Sequence, residues 1–108
     1  MAADFTIRKG DTRVPISTTI TNPDGTVPNL ASATVAFTMR DQLTKTRVLG
    51  GPAVFVNIGL GQVQYLWQPA DTAVSGWYNG GFIVTFPDGT VETFPNDHYI
   101  QVYVTPSI

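Results

Sequence analysis

The sequence has no cysteine and one histidine, His98. The first absence excludes disulfide staples, thiolate zinc sites, iron–sulfur clusters and cysteine nucleophiles together. The second leaves little acid–base or metal-binding chemistry. Charged residues are 13% of the chain, about half the usual share, which argues against disorder or a coiled coil. Helix formers are scarce: Lys9 and Lys45 are the only lysines and Glu92 the only glutamate. No apolar run approaches the roughly 18 residues of a membrane helix, and the opening MAADFTIRKGD lacks the apolar core of a signal peptide. With a net charge of −2 and no basic arm, neither a nucleic-acid nor a membrane partner is expected.

Positive charge is also missing from more than half of the chain. Arg8, Lys9, Arg13, Arg40, Lys45 and Arg47 all precede residue 48, and only Asp71, Asp88, Glu92 and Asp97 carry charge beyond it. Such a distribution fits a dipolar domain that meets a neighbour, or a copy of itself, head to tail, because complementary potentials set orientation.

What is present is strand composition, rich in Thr, Val and Ile. Alternation with period two runs through Phe5/Ile7, Val14/Ile16/Thr18/Ile20, Val35/Phe37/Met39, Val54/Val56/Ile58, Val63/Tyr65/Trp67, Phe82/Val84/Phe86 and Ile100/Val102/Val104, with an eighth segment near Thr90–Phe94. Turn signals separate them, among them Asn22-Pro23-Asp24-Gly25, Gly50-Gly51-Pro52, Gln68-Pro69-Ala70-Asp71 and Pro87-Asp88-Gly89. The pattern predicts an all-β fold, an immunoglobulin-like antiparallel β-sandwich of about 7–8 strands that occupies residues 1–108 as one domain with a short N-terminal arm. Pro15 predicts that its strand lies at a sheet edge or pairs only after it.

Pro-Asp-Gly-Thr occurs at 23–26 and at 87–90. Proline at the first central position fixes φ and predicts a type I turn whose glycine is left-handed. The second copy is expected to pair Gly81–Phe86 with Thr90–Phe94, and the first to join Ile16–Thr21 to a short Val27–Leu30 segment. Asn29–Ala33 is long enough for a single helical turn.

No catalytic constellation emerges. Asp97-His98 places an acid beside the histidine, but neighbouring strand residues face opposite ways, and no serine lies in a nucleophile elbow. Asp88/Glu92 and Asn96/Asp97 lack calcium-loop spacing and read as turn caps. No catalytic residue, metal ligand or cofactor is expected.

Trp77-Tyr78-Asn79-Gly80-Gly81 carries more information. Parity puts Tyr78, Gly80, Phe82, Val84 and Phe86 on the inner face and Trp77, Asn79 and Ile83 outside, with Gly80 making room for a neighbour such as Trp67. Trp77 either protects a sandwich edge or anchors a partner. In the last strand Tyr99, Gln101 and Tyr103 oppose Ile100, Val102 and Val104.

Four stretches together carry a resemblance: Asp4–Thr12 (DFTIRKGDT), Ala33–Arg40 (ATVAFTMR), Tyr65–Thr72 (YLWQPADT) and Thr85–Pro95 (TFPDGTVETFP). They resemble the N-terminal domain of the BppU-family phage baseplate upper proteins and related short structural proteins of tailed phages. The resemblance implies an immunoglobulin-like sandwich that docks on a phage particle and is therefore located in the virion. The sequence ends at Ile108, without the linker helix and trimerising head of the full adaptor, so a stand-alone particle component is expected, its terminal arms held by neighbours. The expected function is that of a non-enzymatic structural protein of the tail, baseplate or capsid. Its partners would be other phage structural proteins or copies of itself, and Phe5, Trp77, Tyr78, Tyr99 and Tyr103 would supply the contacts. The alternative is a carbohydrate-binding module in which Trp77 and Tyr78 stack on a sugar while Asn79 and Asp71 bond its hydroxyls.

Overall fold

The alternation at 76–85 becomes the longest strand of the protein and the axis of its larger sheet. In the computed structural model, residues 3–96 and 98–107 are described. Among these residues nine strands form: β1 (Phe5–Arg8), β2 (Ile16–Thr19), β3 (Thr34–Asp41), β4 (Val48–Pro52), β5 (Val54–Asn57), β6 (Gln62–Tyr65), β7 (Gly76–Thr85), β8 (Val91–Phe94) and β9 (Ile100–Thr105). A single 3₁₀ turn, Ile58–Leu60, links β5 to β6 and is closed by Asn57, which accepts from the Leu60 N–H.

The large sheet runs β1-β9-β7-β3-β4, and β8 pairs with the far half of β7; the small sheet is β2-β6-β5. This is the immunoglobulin arrangement, with β2, β6 and β5 in the places of strands B, E and D and β9, β7, β3 and β4 in those of G, F, C and C′. It is not purely antiparallel, since β1 pairs parallel to β9, with Phe5 opposite Val102 and Arg8 opposite Thr105.

The two inner faces meet in a core of Phe37, Tyr65, Trp67, Tyr78, Phe82 and Phe94 with Ile16, Ile20, Val63, Val84, Val102 and Val104. Four of the aromatics interlock: Phe37 lies 5.1 Å from both Tyr65 and Phe82, and Trp67 meets Phe37 and Tyr65 edge-on at 5.6 Å. Burying each such ring stabilises the fold by about 2–3 kcal/mol. The neighbour that needs Gly80 is Phe37, not Trp67. A Cβ on Gly80 would stand 3.0 Å from the Phe37 ring.

Both Pro-Asp-Gly-Thr turns take the expected form. Gly25 and Gly89 share φ +89°, and Asp24 and Asp88 each accept from the N–H and hydroxyl of the threonine two residues on, at 3.0 and 2.6 Å. The second turn joins β7 to β8 in the expected register, Phe82 opposite Phe94. The first does not lead into a strand. Pro28 removes a donor from the return arm, and β2 pairs with β6 instead. β2 begins immediately after Pro15 and lies at the edge of the small sheet. Around Ala33 there is a turn rather than a helix, closed by Ala33 N–H to Leu30 O.

Two further expectations are corrected. Gly50-Gly51-Pro52 is not a break but part of β4, where Gly50 has φ +116° against β3. Val54, Val56 and Ile58 face outward, and Phe55 packs against the core, because β5 is an edge strand whose Phe55 stands opposite the buried Val63.

Candidate interaction surface

The outer face of the large sheet holds the most organised exposed chemistry. Trp77 on β7 stands directly opposite Tyr103 on β9, and their rings stack with centroids 4.6 Å apart and 17° between planes. Both are half-buried. Cross-strand aromatic pairs of this kind contribute about 1 kcal/mol beyond the area they cover.

The next residues along the same strands, Asn79 and Gln101, form a polar patch beside the stack. Gln42, from the β3–β4 loop, donates through Nε2 to Gln101 Oε1 at 2.6 Å and to Asn79 Oδ1 at 2.9 Å, and Gln101 Nε2 donates to Asn79 Oδ1 at 3.2 Å. The Gln42 N–H also donates to the Trp77 carbonyl. The loop is itself held by Asp41, which accepts from Thr44 N–H, Thr44 Oγ1 and Arg47 N–H. Those bonds, the Thr44 hydroxyl first, hold the Asp41 carboxyl far below the ordinary carboxylate range. Leu43, at the tip, is 93% exposed.

Beside this patch a groove of about 300 Å³ opens over Gly80 and Gly81, walled by Arg40, Lys45, Thr93 and Tyr99. Gly81 keeps it open, since a Cβ there would meet Thr93 at 3.3 Å. Tyr99 is 63% exposed.

The five expected contact residues therefore separate. Trp77 and Tyr103 come together on one face, and Tyr99 stands nearby at the groove. Phe5 turns inward. It pairs within its own chain, packs against the core and stacks on Trp67 at 5.7 Å. Tyr78 is buried, and its hydroxyl donates to the Val74 carbonyl at 2.8 Å, which is the tyrosine corner of immunoglobulin-like domains. Burial pushes its pKa up, opposed by nearby Arg47.

Asp71 is also withdrawn from any ligand. It is 3% exposed and accepts from the Tyr65 hydroxyl at 2.5 Å, Gln68 N–H at 2.8 Å and Gly50 N–H at 3.2 Å. The sugar-stacking arrangement of Trp77, Tyr78, Asn79 and Asp71 consequently does not assemble. The sequence did not reveal this hub, because Asp71 closes the Gln68-Pro69-Ala70-Asp71 turn signal, where side chains usually face solvent.

Asp88 caps its turn, and Glu92 accepts from Asn96 Nδ2 at 2.8 Å. Asp97, expected beside His98, lies outside the described residues, as do Met1 and Ile108 at the chain ends. Among the described residues no three His, Cys, Asp or Glu side chains gather as metal ligands, and no helix is long and apolar enough to cross a membrane. No protein-family model matches the chain, and a search of curated proteins gives no match either.

Proposed function

We propose that this chain is a non-enzymatic structural protein of a tailed-phage particle, which docks on tail, baseplate or capsid through the outer face of its large sheet. The observation that carries the reading is the Trp77–Tyr103 stack, braced by the Gln42–Asn79–Gln101 network. Large aromatics fixed on strands lose little conformational entropy when they are covered, and they are common anchors at protein interfaces. The resemblance of the four sequence stretches to baseplate upper proteins supplies the particle as the partner, a warrant of analogy. Repetition on a symmetric particle lets a contact of modest area hold.

The test is quantitative mass spectrometry of purified particles from the source. Copy number near that of the main shell protein points to capsid decoration, and a small fraction points to a tail or baseplate position. Absence from particles overturns the reading.

One observation favours a second reading, carbohydrate recognition. The groove beside Tyr99 offers an exposed ring, the Asn79 amide and the Arg40 guanidinium around a glycine floor. Retention on host-surface polysaccharide that Tyr99→Ala abolishes would favour it over particle docking.

A further inference from the structure

The charge asymmetry of the sequence becomes an asymmetry in space. β3 ends, β7 begins, and β1 and β9 both end at one pole of the sandwich, since Asp41 stands opposite Tyr78, Gly76 opposite Val104, and Arg8 opposite Thr105. Arg8 and Arg40 lie on these strand ends. Lys45 and Arg47 lie in the loop that joins β3 to β4, and Arg47 reaches across to the Ala70 carbonyl. Lys9 and the residues after it are tied to the same pole by Lys9 N–H to Thr105 O and Gly10 N–H to Thr72 O, which carries Arg13 with them. All six cations of the chain thus gather there against four carboxylates, Asp4, Asp11, Asp41 and Asp71. Among the described residues none of the six pairs with a carboxylate.

The opposite pole is the reverse. The Asp88 turn caps the far end of β7. The Asp24 turn follows β2, and its Asn22 and Pro23 face Phe94, Pro95 and Asn96 across a shallow groove, close to Glu92. No lysine or arginine lies at that pole.

We infer that the basic pole is a docking surface for the acidic pole of a second copy of this chain, so that copies associate head to tail. The charges argue for this occupant, because the two poles carry net charges of opposite sign. The shape sets its strength. The short axes of the molecule are 25 and 23 Å, so an end-on contact buries less than the about 800 Å² per partner of a standard interface. Such a contact is weak by itself and becomes effective where copies are already held close. It is heterologous and therefore continues into a ring or an open row rather than stopping at a dimer. The inference stands on this chain's own charges and does not depend on the particle reading.

The test is sedimentation of the purified chain at about 1 mM, the effective concentration that tethering supplies, at about 10 mM and about 0.3 M salt, across which the Debye length falls severalfold. Wild type should exceed the 11.7 kDa monomer mass at low salt and return to it at high salt. Two variants carry the geometry: Asp24→Asn/Asp88→Asn/Val91→Lys/Glu92→Lys keeps the turn caps and makes both poles basic, whereas Lys9→Glu/Arg13→Glu/Arg40→Glu makes both acidic. Each alone should stay monomeric, and an equimolar mixture should associate again. A wild type that is monomeric at low salt, a single variant that assembles like wild type, or a mixture of folded variants that fails to associate overturns the inference.

Discussion

The Tyr65 hydroxyl donates to the Asp71 carboxylate at 2.5 Å, and that carboxylate also receives two backbone N–H groups, from Gln68 and Gly50. One buried side chain thus ties β6, the loop after it and β4 to one another. Removing it strands one buried donor, the Tyr65 hydroxyl, and two part-buried N–H groups. Asp71→Ala should cost about 3 kcal/mol and lower the thermal midpoint by about 15 °C. Tyr65→Phe leaves the two N–H bonds in place and should cost only about 1 kcal/mol. Equal losses in calorimetry would show that the carboxylate does not act as the hub.

The same contact sets a limit on the alkaline side. Burial first, and then the hydrogen bond to Asp71 and its negative charge, push the Tyr65 hydroxyl well above its ordinary value of 10. Tyr78 is raised as well, by burial. A raised acid binds its proton more tightly in the folded state, so this stability is complete below pH about 10 and is lost as pH rises beyond it. Denaturant midpoints should fall above pH 10, and less steeply in Tyr65→Phe. A midpoint that stays flat above pH 10 would contradict both assignments.

The twin turns make the opposite prediction on the acid side. Asp24 and Asp88 lie below their ordinary value of 3.8 because Thr26 and Thr90 donate to them, the hydroxyl contributing most. A depressed carboxylate stabilises its turn above about pH 4, and that contribution is lost as pH falls through the folded value. In carboxyl-resolved NMR titrations Thr26→Val should move Asp24 upward and leave Asp88 alone, and Thr90→Val should do the converse. Unchanged midpoints would mean that the hydroxyls do not hold these carboxylates.

Local chemistry was legible where residue type alone decides the backbone. The Pro-Asp-Gly-Thr turns and the inward parity of Phe82 and Val84 needed only proline's fixed φ and period two. Reading failed where a partner strand overrides propensity. Gly50, Gly51 and Pro52 look like a break, yet β3 recruits them as an edge. Val54 and Val56 alternate like a core strand, yet the buried residue is Phe55, because the partner strand sets the register. Period two puts Tyr78 on the inner face, but nothing in the sequence shows that Val74 offers its carbonyl to the hydroxyl. The charge asymmetry was visible in one dimension. Its gathering at one pole was not, because that depends on β1 lying beside β9, a pairing between the two ends of the chain.

Trp77 and Tyr78 are adjacent in sequence and should behave as opposites under mutation. Tyr78 fills the core and closes the corner on Val74, so Tyr78→Ala should cost about 4 kcal/mol and reduce the yield of folded protein. Trp77 loses a half-exposed stack on Tyr103, worth about 1 kcal/mol, so Trp77→Ala should lower the thermal midpoint by only about 6 °C. If the outer face docks on a particle, the ranking reverses for attachment: Trp77→Ala should release the chain from particles at a temperature where it remains folded, and Tyr78→Phe should not. Co-sedimentation of tagged variants with particles lacking the native chain measures this directly. Retention of Trp77→Ala at the wild-type level would remove the aromatic stack from the interface and leave the charged poles as the surfaces able to hold the chain in place.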